Sequence, residues 1–322
     1  MMVQRDSVYN PPVSLSRLSE IERALGDAIR GKAEVLRLSL ACLLARGHLL
    51  IEDVPGVGKT TLAQAMARAV RSNFHRLQFT YDMLPSDVLG VTIYNAHSQE
   101  FEFKKGPIFT NFLLADEINR ATPNTQSALL EAMNELQVTI DGRSWELAQP
   151  FMVIATQNPV EHHGTYPLPE SQLDRFLMRI RIGYPDLAAE REILRQSAPS
   201  HDRVHPVIGG DELIAIQDAV GQISVDDALL DYMLAIVERT RAHESLAMGV
   251  SPRGAQALYR ATQALAAVEG RDYVTPDDVK RLVVPVFAHR VVVNTRIAIA
   301  QRSAEAAEKI LTEILTLVDV PL

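Results

Sequence analysis

A single cysteine, Cys42, stands in the whole 322-residue chain, which excludes an internal disulfide. It lies in the mostly apolar run 38–44, where a buried, inert thiol is expected. No stretch reaches the roughly 18 apolar residues of a membrane-spanning helix. The start of the chain carries Arg5 and Asp6, then Asn10-Pro11-Pro12, and offers no apolar signal core. The cytoplasm is therefore the expected location. Basic residues do not exceed acidic ones. A count of 32 against 40 gives a net charge of −8, which argues against a protein that coats nucleic-acid phosphate. Metal-ligand spacing is scarce too. His162 and His163 are adjacent and diverge, His201 and His205 lie among Pro199 and Pro206, and there is no cysteine cluster or H-E-x-x-H. No metal site other than one for Mg²⁺ is expected. Internal repeats, low-complexity tracts and any appended zinc-binding or helix-turn-helix module are also missing.

What is present suffices for a large core. Hydrophobic residues make up 47% of the chain, and its length suits one large domain or two ordinary ones. Residues 1–18 read as a flexible lead-in. A helical pattern follows over 19–45, broken near Gly31. Short apolar runs at 48–51, 76–80, 111–116, 151–156 and 177–182 read as strands. Helical stretches separate them, which implies parallel pairing with crossover helices and hence an α/β sandwich. Thr122-Pro123 supplies an N-cap and a first-turn proline for a helix whose apolar face is Ala128, Leu129, Ala132, Met133 and Leu136. Asp141-Gly142 then signals a hairpin. After Tyr184-Pro185 the strands stop. Helices are expected at 187–198, 211–222, 226–242, 252–269, 275–289 and 296–318, with the domain boundary near Pro185.

Asp53-Val54-Pro55-Gly56-Val57-Gly58-Lys59-Thr60-Thr61 follows the first strand and opens a helix. Glycines let backbone N–H groups approach phosphate, and a helix N-terminus adds positive potential. Lys59 suits the β- and γ-phosphates and the Thr60 hydroxyl suits Mg²⁺. Asp53 occupies the position where the G-x-x-x-x-G-K-T pattern has its first glycine. About 56 residues after this loop, the apolar run 112–115 ends in Asp116-Glu117. Two acids at the carboxyl edge of a parallel sheet suit an Mg²⁺ ligand, Asp116, and a residue that orients the attacking water, Glu117. Gln157-Asn158 closes the fourth strand. Asn158 there suits a γ-phosphate or water contact, with an Asn-Pro turn as the plain alternative.

With Leu173-Asp174-Arg175-Phe176, these motifs occur in the order found in AAA+ ATPases. The chain most resembles the MoxR family within them. The resemblance rests on the run from Glu52 to Thr60, Ala115-Asp116-Glu117-Ile118-Asn119-Arg120-Ala121, Gln126-Ser127-Ala128-Leu129-Leu130-Glu131-Ala132-Met133 and Ala155-Thr156-Gln157-Asn158-Pro159, and spans about residues 20–320. It implies a three-layer AAA+ P-loop sandwich with a parallel five-stranded sheet over 19–185 and an all-α lid over 186–322. It implies Walker A at 53–60, Walker B at 112–117, sensor 1 at Asn158, sensor 2 at Arg253 and an arginine finger at Arg175 serving a neighbour's ATP. An adenine-contacting segment is implied at Ile29-Arg30-Gly31, an insert at about 81–106 and a pore-facing hairpin at about 137–148. Arg120 is a further candidate for an interface. Relatives of this kind are usually hexameric, chaperone-like, Mg²⁺-dependent ATPases, often found beside von Willebrand A domain proteins.

Arg175 lies just before the fifth strand, where a surface salt bridge with Asp174 or Glu170 is the plain alternative; Arg253 has physical support of its own. Ser251-Pro252 begins a helix, which puts Arg253 in the first turn, where a cation opposes the helix dipole at a cost of about a few tenths of a kcal/mol. An anion such as ATP would offset it. The expected activity is ATP-driven remodelling of a protein partner. A slow nucleotide-gated switch and a DNA-associated or metal-chelatase motor are the alternatives.

Overall fold

The computed structural model of the protein describes residues 15–158, 164–195, 200–294 and 303–321. Residues 1–14, His162, His163 and the first part of the helix expected at 296–318 lie outside them. In chain order the elements are α1 (Leu15–Ala28), α2 (Ala33–Leu44), β1 (Leu49–Glu52), α3 (Lys59–Ala69), β2 (Phe74–Gln78), α4 (Pro85–Leu89), β3 (Gly90–Asn95), β4 (Glu100–Lys105) and β5 (Phe112–Asp116). There follow α5 (Pro123–Glu135), β6 (Gln137–Ile140), β7 (Arg143–Glu146), β8 (Met152–Gln157), α6 (Glu170–Leu173) and β9 (Met178–Ile180). The remainder comprises α7 (Leu187–Leu194), α8 (Gly210–Val220), α9 (Asp227–Ala242), β10 (Leu246–Met248), α10 (Pro252–Val268), α11 (Pro276–Phe287), β11 (Val292–Val293) and α12 (Ser303–Leu317).

Five strands form one parallel sheet in the order β2-β5-β8-β1-β9. Its central strands are apolar on both faces, as crossover helices on both sides require. Leu49 and Ile51, Phe112 and Leu114, and Met152 and Ile154 enter one core with α1, α2 and α3. Leu50, Leu113, Ala115, Val153 and Ala155 alternate into a second core with Leu129 and Met133 of α5. The result is a three-layer α/β sandwich. His48 stitches the layers: its Nδ1 accepts from the Val153 amide at 3.0 Å, so the Nε2 proton faces Met133 O at 3.1 Å. Burial pushes its pKa down to about 4 and keeps it neutral.

Residues 15–18, expected in the lead-in, are helical instead. Leu18 is buried with Ile21 and Leu25, so the apolar stripe of α1 begins about one turn before the helical pattern expected from Ser19. Asp141 and Gly142 take φ of 51° and 74° between β6 and β7, the positive pair that a two-residue hairpin needs to match strand twist. A second antiparallel pair, β3 with β4, fills the segment between α4 and β5.

Among the described residues the C-terminal part is built mainly of helices, with two short strands, β10 and β11, that pair antiparallel through Leu246 with Val293 and Met248 with Val292. Strands were not expected beyond Pro185, and elements of two or three residues are too short to carry a periodic signal. They tie the α9–α10 loop to the segment after α11. This helical part joins the first core through Leu258 and Leu282, and Arg179 on β9 donates to Glu308 on α12 at 3.0 Å. Helix α7 ends at Leu194 rather than 198; residues 196–199 are outside the described ones.

Candidate nucleotide site

Residues 53–58 leave the carboxyl end of β1 and return into α3. Val57 is buried in the core, while a Cβ on Gly56 would meet nothing within 4 Å, so the loop is anchored at one residue and open beside it. Gly58 caps α3 at φ 98°, a conformation costly for any residue with a side chain. A Cβ there would also lie 3.6 Å from Ile29 Cδ1, which brings the α1–α2 turn against the loop. Asp53 is a clasp. Its Oδ1 accepts from Val54 N at 2.8 Å, and its Oδ2 accepts from Ile182 N at 2.8 Å and Gly183 N at 2.6 Å. The carboxylate is thus spent on fixing the loop to the segment after β9, and only its carbonyl turns inward, accepting from Lys59 Nζ at 2.7 Å. That is the structural use of an acid where the usual pattern has glycine.

Across from Lys59, β5 ends in Asp116. Its Oδ1 accepts from the buried Thr156 hydroxyl at 2.6 Å, and its Oδ2 from Arg76 at 2.6 Å. The same Thr156 oxygen accepts from Glu117 N at 2.9 Å. Glu117 itself is left-handed, at φ 57° and ψ 48°, and its Oε2 lies 2.8 Å from Arg120 Nε. Such backbone strain in a residue with a side chain is typical of functional positions. A cavity of about 350 Å³ gathers Gly56, Gly58, Lys59, Thr60, Asp116 and Glu117, with Thr61, Pro55 and the buried Asn158 on its wall. Burial lowers the Lys59 pKa, opposed by Asp116, Asp53 and Glu117. A second cavity, of about 550 Å³, is lined by Ile29, Arg30 and Gly31. There Gly31 approaches Asp186, and Lys32 donates to Tyr184 O at 2.7 Å.

Two expected site residues stand elsewhere. Arg253, in the first turn of α10, donates to Asn134 at 2.8 Å and lies 3.9 Å from Asp174 Oδ2. Arg175 pairs with neither Asp174 nor Glu170 among the described residues; Asp174 instead binds Arg290 at 2.7 Å. A buried Nη1 of Arg175 has no hydrogen-bond partner. Neither arginine lines the cavity that holds Lys59.

The family model for the ATPase family associated with various cellular activities (AAA) matches residues 48–178, and that for the AAA lid domain matches 238–314. Chaperone MoxR1 of Mycobacterium tuberculosis is 42% identical over 85% of this chain and 76% of its own. Protein MoxR of Paracoccus denitrificans is 33% identical over 86% and 88%. The chain belongs to the MoxR family of AAA+ ATPases. Uncharacterized protein YeaC of Bacillus subtilis is 50% identical over 90% of this chain and 91% of its own. A crystal structure of a candidate ATPase from Cytophaga hutchinsonii superposes with a TM-score of 0.87 at 36% identity, covering 96% of both chains.

Two residues of this MoxR-family site carry no motif role in the sequence reading. Arg76 reaches Asp116 because β2 neighbours β5 with Gln78 opposite Asp116, a register that no local pattern discloses. Thr156 stands inside a motif that carries the resemblance, yet its function as a bridge between β8 and β5 follows only from strand order. Thr156→Val keeps the shape and strands both the Glu117 amide and an Asp116 oxygen. Unfolding in urea is expected to show about 1–3 kcal/mol of lost stability; an unchanged midpoint would remove the bridge from the account.

Proposed function

We propose that this chain binds and hydrolyses Mg-ATP in a ring of identical subunits, a hexamer as is usual in its family, and uses the cycle to remodel or mature a partner protein complex. The observation that carries the reading is the convergence of Lys59, Thr60, Asp116 and Glu117 on one cavity at the carboxyl edge of the sheet. The open backbone at Gly56 and Gly58 suits phosphate oxygens, and Lys59 supplies the charge they need. Val54, Pro55, Val57 and Thr61 shape the loop around them, and Ile29 and Gly31 border the space suited to an adenine. The donors fit a hard cation, since hydroxyl and carboxylate oxygens line the cavity and no thiol or imidazole does. Thr60 and Asp116 would hold Mg²⁺, which when bound neutralises charge on the phosphates. Glu117 would orient and polarise water, and Asn158, at the end of β8, would hold the water or the γ-phosphate.

Arg253 lies against Asp174, and neither it nor Arg175 lines their own chain's cavity, which supports a site completed by the neighbouring subunit. The domain division near Pro185, with an insert at about 81–106, is part of the same reading. So are a hairpin at about 137–148 facing a central pore and, as partner, a protein client or a von Willebrand A domain protein. The name of the MoxR1 relative supports a chaperone role. A slower, switch-like turnover is the second reading, favoured by the Glu117–Arg120 contact; turnover per subunit with and without client separates the two.

Lys59→Ala tests the first step. It is expected to weaken ATP about a hundredfold or more, because charged hydrogen bonds to phosphate are lost, at about 1.5–3 kcal/mol each. The fold should persist by circular dichroism. Wild-type affinity in a fluorescent-nucleotide titration would defeat the assignment.

A further inference from the structure

The turn that presents Arg175 is held from the helical lid. Its amides pair locally, Arg175 N with Gln172 O at 3.2 Å and Phe176 N with Leu173 O at 3.1 Å. Its carbonyls do not. Arg290, three residues after the end of α11, donates through Nη2 to Phe176 O at 2.6 Å and Asp174 O at 3.3 Å, and through Nη1 to Leu177 O at 3.0 Å. Its Nε donates to Asp174 Oδ1 at 2.7 Å, and Nη1 also donates to Val286 O in the last turn of α11. His289 Nε2 lies 2.9 Å from the same Phe176 carbonyl. The guanidinium is almost wholly buried, at 7% exposure, so one lid side chain closes around both flanks of Arg175. Burial pushes its pKa down to about 10, opposed by Asp174, and it remains charged at neutral pH. Gly254, beside Arg253, leaves the room: a Cβ there would approach Arg290 Cδ to 3.0 Å.

We infer that Arg290 is a positioning residue for the Arg175 finger, so that the lid of one subunit sets the hydrolysis rate at the site of its neighbour. The planar fork is what the geometry uses, because one lysine ammonium cannot span a carboxylate and three carbonyls. Phe176 is fully buried, which fixes one side of the turn. Without Arg290 the other side loses its carboxylate anchor, the Asp174 and Leu177 carbonyls lose this donor, and Phe176 O keeps only His289. A misplacement of about 1 Å at a reacting group can cost about 10²-fold in rate.

This rests on the reading of Arg175 as serving a neighbour's ATP, and the test separates the two. Arg290→Met and Arg290→Lys are made in the full chain, with Asp174→Asn as a milder variant that keeps the carbonyl contacts. Nucleotide affinity and the thermal midpoint report whether each chain folds and binds. Turnover is expected to fall about tenfold to a hundredfold, in kcat rather than KM, with the lysine variant no better than partly restored. The deciding measurement is mixing. An Arg290→Met chain keeps a sound Glu117 and lacks only a placed finger. It should therefore regain activity with Glu117→Gln and gain none with Arg175→Ala. Arg175→Ala with Glu117→Gln is the control. If the control recovers and Arg290→Met with Glu117→Gln does not, Arg290 supports its own chain's site or fold and the inference is overturned. Should Arg290→Met fail to fold, Asp174→Asn takes its place in the same mixtures with the same two outcomes. A control that fails to recover, while Arg175→Ala mixed with wild type loses activity only in proportion, sinks the shared site itself, and this inference with it.

Discussion

Glu117→Gln should keep ATP bound and lower turnover by about 10²–10⁴, the range ascribed to a positioned general base. The substitution preserves size and removes the charge. Its surroundings explain why so small a change should matter. The Glu117 backbone is held in the left-handed region with its amide on Thr156 Oγ1, so the side chain leaves β5 in a fixed direction beside Asp116. Glutamine can still accept from Arg120, which holds Glu117 Oε2 at 2.8 Å, and the local fold should survive. Steady-state hydrolysis alongside a fluorescent-nucleotide titration reads both halves of the expectation, and light scattering reads whether the ATP-loaded variant favours the assembled ring. Wild-type turnover in this variant would assign the lytic water to another residue.

The parts of this site that the sequence disclosed are the contiguous ones. The phosphate loop and the Asp116-Glu117 strand end each combine a local pattern with a local structure, and the strands β5 and β8 show as apolar runs because both their faces are buried. What stayed hidden depends on distant pairing. Asp53 departs from the glycine pattern, and its purpose appears only when β9 brings the Ile182 and Gly183 amides to its carboxylate. Arg290 follows the end of a helix, where a cation needs no partner beyond the helix dipole; its target, Asp174, lies 116 residues earlier. The first-turn argument for Arg253 calls for an anion, and within the chain a carboxylate lies 3.9 Å away. That carboxylate is Asp174, and a dipole argument says that an anion is wanted without saying which.

Arg175→Ala is the second large effect, an expected loss of about 10³–10⁵ in turnover by analogy with arginine fingers in related switch enzymes, with ATP affinity near wild type. The separation of Arg175 from the Lys59 cavity within one chain motivates it, as does the buried Nη1 that finds no partner there. If the finger serves a neighbour, each active site is built from two chains, and mixing exposes the arrangement. Arg175→Ala keeps a good Glu117, and Glu117→Gln keeps a good Arg175. In a head-to-tail ring mixed at random in equal amounts, about a quarter of interfaces unite the two good residues. Activity should reappear on mixing two chains that are each inactive alone. Poisoning of a ring by inactive subunits would mask that recovery, so a parallel mixture of Arg175→Ala with wild type measures it. There, activity should fall in proportion to the mutant fraction. Proportional loss in that mixture, with no recovery in the first, would show that Arg175 acts within its own chain.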